Sequence, residues 1–251
     1  MGDVHEALKN LVERLYEAAR DNLESIILYG SAARGDFHDA HSDLNILCIL
    51  RSPCAAELAR VSAVVKWWIT VHHQPAPLFF GADELRQSAD VFAIELLDMQ
   101  QNHRVLYGAD VIAGITVPMN LHRVQVEHEL RTLLLRLRQH LLREAGNQQE
   151  LGAVLAKSFS STLTLLRHTL IAFQEQPPSA SGEVFSRIAS LTAASAPALE
   201  AVQRLREAKS LDSDAVLPVY DGYLAALEKV IAALDHHLPK RQWQRAGKTS
   251  A

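Results

Sequence analysis

The sequence predicts an α+β protein, with a small mixed-sheet domain at residues 1–117, an all-helical bundle at 118–240 and a flexible tail at 241–251. Three observations carry this reading. In the first part, apolar runs short enough for strands alternate with amphipathic stretches and are punctuated by glycine and proline. In the second part, apolar residues recur at helical spacing over stretches too long for strands. Between the two, Pro118 and Asn120 interrupt both patterns, which puts the boundary between Ile115 and Leu121.

In chain order, Val4, Leu8, Leu11, Val12 and Leu15 mark an amphipathic opening helix with Asp3 as its N-cap. Ile26, Ile27 and Leu28 form a strand too apolar for a wet edge, and Leu44 to Leu50 form a second. Pro53 opens a helix through about Thr70, with Leu58, Val61, Val65 and Ile69 on its apolar side. A short third strand runs from Pro77 to Phe80, and a brief helix from Asp83 to Ala89. The segment Phe92 to Met99 is apolar apart from Glu95 and Asp98, and His103 to Gly108 reads as a last strand closed by glycine.

In the second domain, Leu130, Leu133, Leu134, Leu137 and Leu141 follow one helical face. After a break at Gly146 and Asn147, Leu155, Phe159, Leu163, Leu166, Leu170 and Phe173 follow another, predicting two long antiparallel helices. Shorter helices are expected at 184–192 and 197–208, and a final one at 213–238 with Tyr220, Leu224, Leu227, Ile231 and Leu234 on its stripe. The paired histidines at 72–73 and 236–237 end helices, where a cation suits the dipole.

The composition narrows the function. At 251 residues there is room for two compact domains. Lys plus Arg is 25 and Asp plus Glu is 29, a net charge of -4, which argues against holding nucleic acid mainly through its phosphates. The N-terminal MGDVHEALKN has no signal-like apolar core, and no run approaches ~18 apolar residues. A cytoplasmic protein with no membrane partner is expected. Cys48 and Cys54 are expected as reduced, buried or half-buried thiols, without the spacing of a zinc site.

One stretch, residues 23–50, concentrates the chemistry. A strand runs into Gly30, which takes φ > 0 where the chain turns. A helix beginning at Ser31 would aim free N–H groups at an anion, and a polar loop leads to a second strand carrying Asp43. That is a phosphate cradle opposite a metal-binding carboxylate, and the expected ligand is a polyphosphate.

Gly30, Ser31, Ala33, Arg34, Gly35, Ser42 and Asp43 resemble the signature of the DNA polymerase beta-like nucleotidyltransferase superfamily. The order of domains is similar to that of the aminoglycoside nucleotidyltransferases. The resemblance implies transfer of a nucleoside monophosphate from an NTP to a hydroxyl of a small molecule or protein. It implies Mg2+ held by the pair Asp43 and Asn45, and nucleotide held by Gly30, Ser31, Arg34 and Ser42. Asn45 stands where the superfamily has its second aspartate. Two unit charges ~4 Å apart attract by roughly 4 kcal/mol at an effective dielectric near 20, so losing one beside a divalent ion is worth several orders of magnitude in occupancy or rate. The acceptor-activating carboxylate that the resemblance implies on the third strand is absent. Glu95 and Asp98 can replace it only where their segment runs beside the second strand, Glu95 being otherwise a helix- or strand-end residue paired with a basic neighbour; Asp36, Asp39, His38 and His41 are either further ligands or a solvated polar loop. The alternative to an enzyme with an impaired metal site is a catalytically inactive nucleotide-binding or protein-interaction module. In the bundle, Arg131, Arg138 and Arg167 are either cleft-lining groups or ordinary surface.

Overall fold

The computed structural model describes residues 2–34, 43–207 and 216–237. The chain divides into two compact units, Met1–Pro118 and Met119–Ala251. The first is an α+β unit around a four-stranded mixed sheet, and the second is helical.

The strands are β1 (Leu23–Tyr29), β2 (Asn45–Leu50), β3 (Leu78–Gly81) and β4 (His103–Gly108), in the order β3-β2-β1-β4. β1 pairs antiparallel with both β2 and β4, while β3 runs parallel to β2. The two most apolar runs are therefore the central strands, as their two-faced hydrophobicity requires. Their side chains alternate between two cores. Ile26, Leu28, Ile46, Cys48 and Leu50 pack toward α1 (Gly2–Ala19) and α2 (Ala55–His72). Ile27, Leu47 and Ile49 pack with residues of α3 (Ala82–Gln87) and α4 (Ala93–Gln101). Ser25 is fully buried, and its hydroxyl donates to the carbonyls of Tyr107 and Ala109, pinning the end of β4. Gly108 is required there, because a Cβ would lie 1.9 Å from the Glu24 carbonyl oxygen.

Several local expectations change. α1 already includes Asp3, so that residue lies inside the first turn and not at the cap. On α2 the inward line is Val61 and Trp68, and Leu58 and Ile69 are exposed. The large indole of Trp68 sets the helix rotation, stacking beside Trp67 and His72. Cys48 is buried as expected, but Cys54 is exposed ahead of α2. The segment around Glu95 is a helix, α4.

In the second unit, α5 (Met119–Arg143) starts directly after Pro118, so Asn120 opens a helix where the sequence suggested a break. It packs against α6 (Gln148–Ala172), which Asn147 caps by accepting the Glu150 N–H at 3.2 Å. α7 (Ser181–Thr192), α8 (Ala196–Glu207) and α9 (Val216–His236) complete the described part. The Tyr220 hydroxyl donates to the Leu137 carbonyl at 2.7 Å, and Tyr223 meets Thr162 and Ser158 inside the bundle. Arg131 pairs with Glu127 and Asp235, Arg138 with Glu228, and Arg167 donates to the Ser179 carbonyl. No helix among the described residues is long and apolar enough to cross a membrane.

Candidate functional site

The end of the central strands is shaped by Gly30. It sits at φ +80, its N–H donates to the Asn102 carbonyl at 3.0 Å, and its own carbonyl accepts the Ala33 N–H at 3.1 Å. That second bond closes a 3-10 turn, Ser31–Arg34. Among the described residues, the helix expected from Ser31 is this 3-10 turn. A short turn has little dipole, so attraction for an anion rests on local N–H groups. Those of Ser31 and Ala32 precede the closing bond and have no partner inside the turn.

Asn45 is the first residue of β2 and pairs with Tyr29, the last of β1. A Cβ on Gly30 would lie 3.3 Å from Asn45 Nδ2, so glycine is what lets this amide lie against the turn. The second strand was expected to carry Asp43, but it begins at Asn45. The reason is the same turn. Once β1 swings away at Gly30, Leu44 has no strand partner on that side, and its N–H donates instead to Gln74 Oε1 at 2.7 Å. Asp43 precedes the strand and is exposed. Ser42 and the loop candidates Asp36, His38, Asp39 and His41 lie outside the described residues, as does Gly35.

Below this end of the sheet is a cavity of about 400 Å³. Tyr29, Gly30 and Asn45 line it from the strand ends, and β3 adds Leu78 and Phe80. Its remaining wall is made by Leu85 of α3, by Phe92 just ahead of α4 and by one side of α4, where Leu96 and Met99 accompany Glu95 and Asp98. β3 carries no acid, as its sequence requires. The carboxylates come from the helix packed under the sheet. Residues three apart share a helical face, so Glu95 and Asp98 reach the cavity together. The proximity of Glu95 has an electrostatic consequence. Burial raises the Tyr29 hydroxyl above its ordinary pKa, and the negative charge of Glu95 raises it further.

The structure therefore brings Gly30, Asn45, Glu95 and Asp98 to one cavity. Asp43 does not line it. Among the described residues, no three His, Cys, Asp or Glu side chains converge in a way that would hold a metal ion. Sequence reasoning missed Tyr29, Phe80, Phe92 and Met99 as lining residues. The available signal was parity: Tyr29 and Asn45 share the sheet face of Ile27 and Leu47.

No protein-family model matches the chain, and no curated protein sequence does. Among solved structures, the chain is similar to spectinomycin adenyltransferase AAD(9) from Enterococcus faecialis, crystallised with ATP and spectinomycin. The TM-score is 0.52 at 12% identity, covering 91% of this chain and 98% of that one. At this identity the likeness is one of fold, and the fold is that of the aminoglycoside nucleotidyltransferases.

Proposed function

We propose that the protein transfers a nucleoside monophosphate from an NTP to a hydroxyl of a small molecule, through a weakened metal site. The observation that carries this is the cavity joining the Gly30 turn and the Asn45 amide to Glu95 and Asp98. In this reading the triphosphate lies along the turn Ser31–Arg34, with Ser31 and Ala32 N–H groups donating to phosphate oxygens, and Arg34 and Ser42 as further nucleotide contacts. The acceptor oxygen attacks the α-phosphorus, the bond from that phosphorus to the bridging oxygen breaks, and pyrophosphate leaves. The acceptor's proton passes to the Glu95 carboxylate. The neighbour crystallised with ATP and spectinomycin supports a nucleotide and a small molecule as partners.

The donor set suits Mg2+ only in company. Asp43 and the Asn45 amide oxygen are hard oxygen ligands, but one carboxylate and one amide make no cage. Magnesium is commonly held by one or two carboxylates together with substrate phosphates, which is the arrangement these residues fit. When bound, it supplies neutralisation of charge on the phosphoryl oxygens. The chain's own part is to hold the phosphates at the turn, orient the acceptor and take its proton.

A second reading is favoured by Asn45 itself, an amide where the resemblance implies a second carboxylate. It is a catalytically inactive nucleotide-binding or protein-interaction module. Calorimetric titration with ATP and GTP, with and without magnesium, followed by a pyrophosphate-release assay, separates the two. Magnesium-dependent binding with release supports the transferase. Binding without release in the wild type, with release in Asn45→Asp, supports the inactive module. If neither protein binds a nucleotide, both nucleotide readings fail.

A further inference from the structure

Leu44 is fastened at a point that no strand reaches. The ladder between β1 and β2 ends at the Tyr29–Asn45 pair, and β3 joins β2 only from Leu47 onward. Leu44 is nevertheless buried, with its side chain in the layer that contains Trp68. A buried backbone N–H left without an acceptor is costly. Gln74 Oε1 supplies the acceptor at 2.7 Å, from 30 residues further along the chain. Gln74 is itself well anchored. Val61 and the fully buried Trp68 hold α2, and its C-cap, His73, takes the left-handed conformation at φ 52, which turns the chain directly into Gln74. The N–H that Gln74 holds belongs to the peptide unit joining Asp43 to Leu44. That unit is planar, so fixing its N–H also fixes the Asp43 carbonyl and the line on which the Asp43 Cα lies. Asp43 is exposed, and no packing holds its carboxylate. Its position therefore rests on the backbone behind it.

Resting on the transferase reading, we infer that Gln74 is a positioning residue of the nucleotide site, acting through the Asp43–Leu44 peptide to hold the Asp43 carboxylate for a magnesium-bound triphosphate. Gln74 touches neither the nucleotide nor the metal in this account. A hydrogen bond of ordinary net strength corresponds to about tenfold in population. When only a fraction of the molecules holds the binding arrangement, apparent affinity falls by that fraction. Loss of this bond should therefore weaken magnesium-dependent binding by about tenfold. Only the acceptor oxygen of the side chain is used, so a carboxylate of the same length serves as well.

The test uses the full chain, with ATP as the probe. In hydrogen exchange read by NMR, the Leu44 amide should be protected in the wild type and exchange at least about tenfold faster in Gln74→Met. It should stay protected in Gln74→Glu, whose carboxylate accepts the same N–H. In calorimetry, Gln74→Met should bind ATP about tenfold more weakly with magnesium and unchanged with chelator, while Gln74→Glu should stay close to wild type. In an Asp43→Asn background, Gln74→Met should add no further loss, because the group that Gln74 holds is already gone. Leu44 exchange unaltered by Gln74→Met overturns the inference. So does faster exchange with full magnesium-dependent affinity, and both results leave the transferase reading standing. An equal loss of affinity in chelator, or in the Asp43→Asn background, assigns Gln74 to general stability and overturns the inference too. A wild-type chain that binds no ATP with or without magnesium, while its Leu44 amide is protected, sinks the transferase reading and leaves Gln74 a structural acceptor only.

Discussion

The two faces of the sheet are made by the same two strands and differ in what they do. Toward α1 and α2, β2 turns Ile46, Cys48 and Leu50, and the layer is closed by Leu8, Leu11, Leu15 and Trp68, all nearly or fully buried. Toward α3 and α4, the same strand turns Asn45, Leu47 and Ile49. That layer is well packed at Leu47 and Ile49 but opens at its end into the cavity. One residue of offset separates a sealed core from a polar group at a pocket. On the proposed reading, stability and chemistry are divided between alternate positions of one strand, so altering one should have little effect on the other.

The largest expected effect is on the chemical side. Asp43 is the carboxylate at the entry to β2, and on the proposed transferase reading Asp43→Asn should lower nucleotidyl transfer by roughly 10²–10³-fold, the equivalent of about 3–4 kcal/mol. Being exposed, the residue should leave the unfolding midpoint nearly unchanged. Transfer at the wild-type rate would remove Asp43 from the site. Leu11→Ala tests the opposite face. Leu11 is fully buried against α2 and the sheet, and its truncation should cost about 2–5 kcal/mol in denaturant unfolding. Nucleotide affinity measured well below the transition should hold. A fall in affinity matching the fall in stability would show that the two faces are not separable.

Asn45→Asp sharpens the comparison at its hinge. It adds a charge beside the Gly30 turn, and on the proposed reading magnesium-dependent triphosphate affinity should rise by about tenfold or more, ~1.4 kcal/mol per factor of ten. Calorimetry with magnesium replaced by chelator should show no gain. The cysteines provide a probe of packing alone. Cys48 lies in the sealed layer, where burial pushes its thiol well above the ordinary range. Cys54 is exposed, and hydrogen bonds from the Glu57 N–H and the Ser52 side chain lower its pKa. A maleimide should label Cys54 alone in the native protein, and Cys54→Ser should abolish fast labelling. Rapid reaction of Cys48 would mean that the α1 and α2 layer opens.

How much of this the sequence discloses depends on which force decides each feature. β1 and β2 are legible because runs such as Ile26 to Leu28 and Ile46 to Leu50 are decided by burial on both faces. The mixed sheet and helical second unit follow from the same periodicities. The start of β2 is not legible, since it is decided by where Gly30 takes β1 away and by Gln74 capturing the Leu44 N–H. α4 is a short apolar run that fits strand or helix, and only its packing under the sheet makes it a helix. Glu95 and Asp98 could be suspected from the acid-free third strand, but their arrival at the cavity depends on that choice. The rotation of α2 is not legible in its aliphatic stripe, because Trp68 fills the space beneath it.

The smallest expected effect concerns how the cavity-bearing face is fastened. His103 Nε2 and Asp110 Oδ2 are 2.9 Å apart, and Asp110 Oδ1 accepts the N–H groups of Ile112 and Ala113 at 3.1 Å each. These bonds turn the chain after β4 so that Ile112 is fully buried in the core below α4. The hydrogen bond with His103 is the main cause holding the Asp110 carboxyl below its ordinary pKa, assisted by the two N–H groups. A depressed folded pKa contributes stability that is present above the unfolded value, near ~3.9, and is lost as pH falls through the folded one. The carboxylate is 38% exposed, so solvent screening keeps the contribution under about 1 kcal/mol. Asp110→Asn should therefore unfold at a slightly lower temperature than wild type at pH 6, and the difference should shrink as the pH is lowered below about 4. A gap that persists unchanged at low pH would take the charge of Asp110 out of the account of how Ile112 is held.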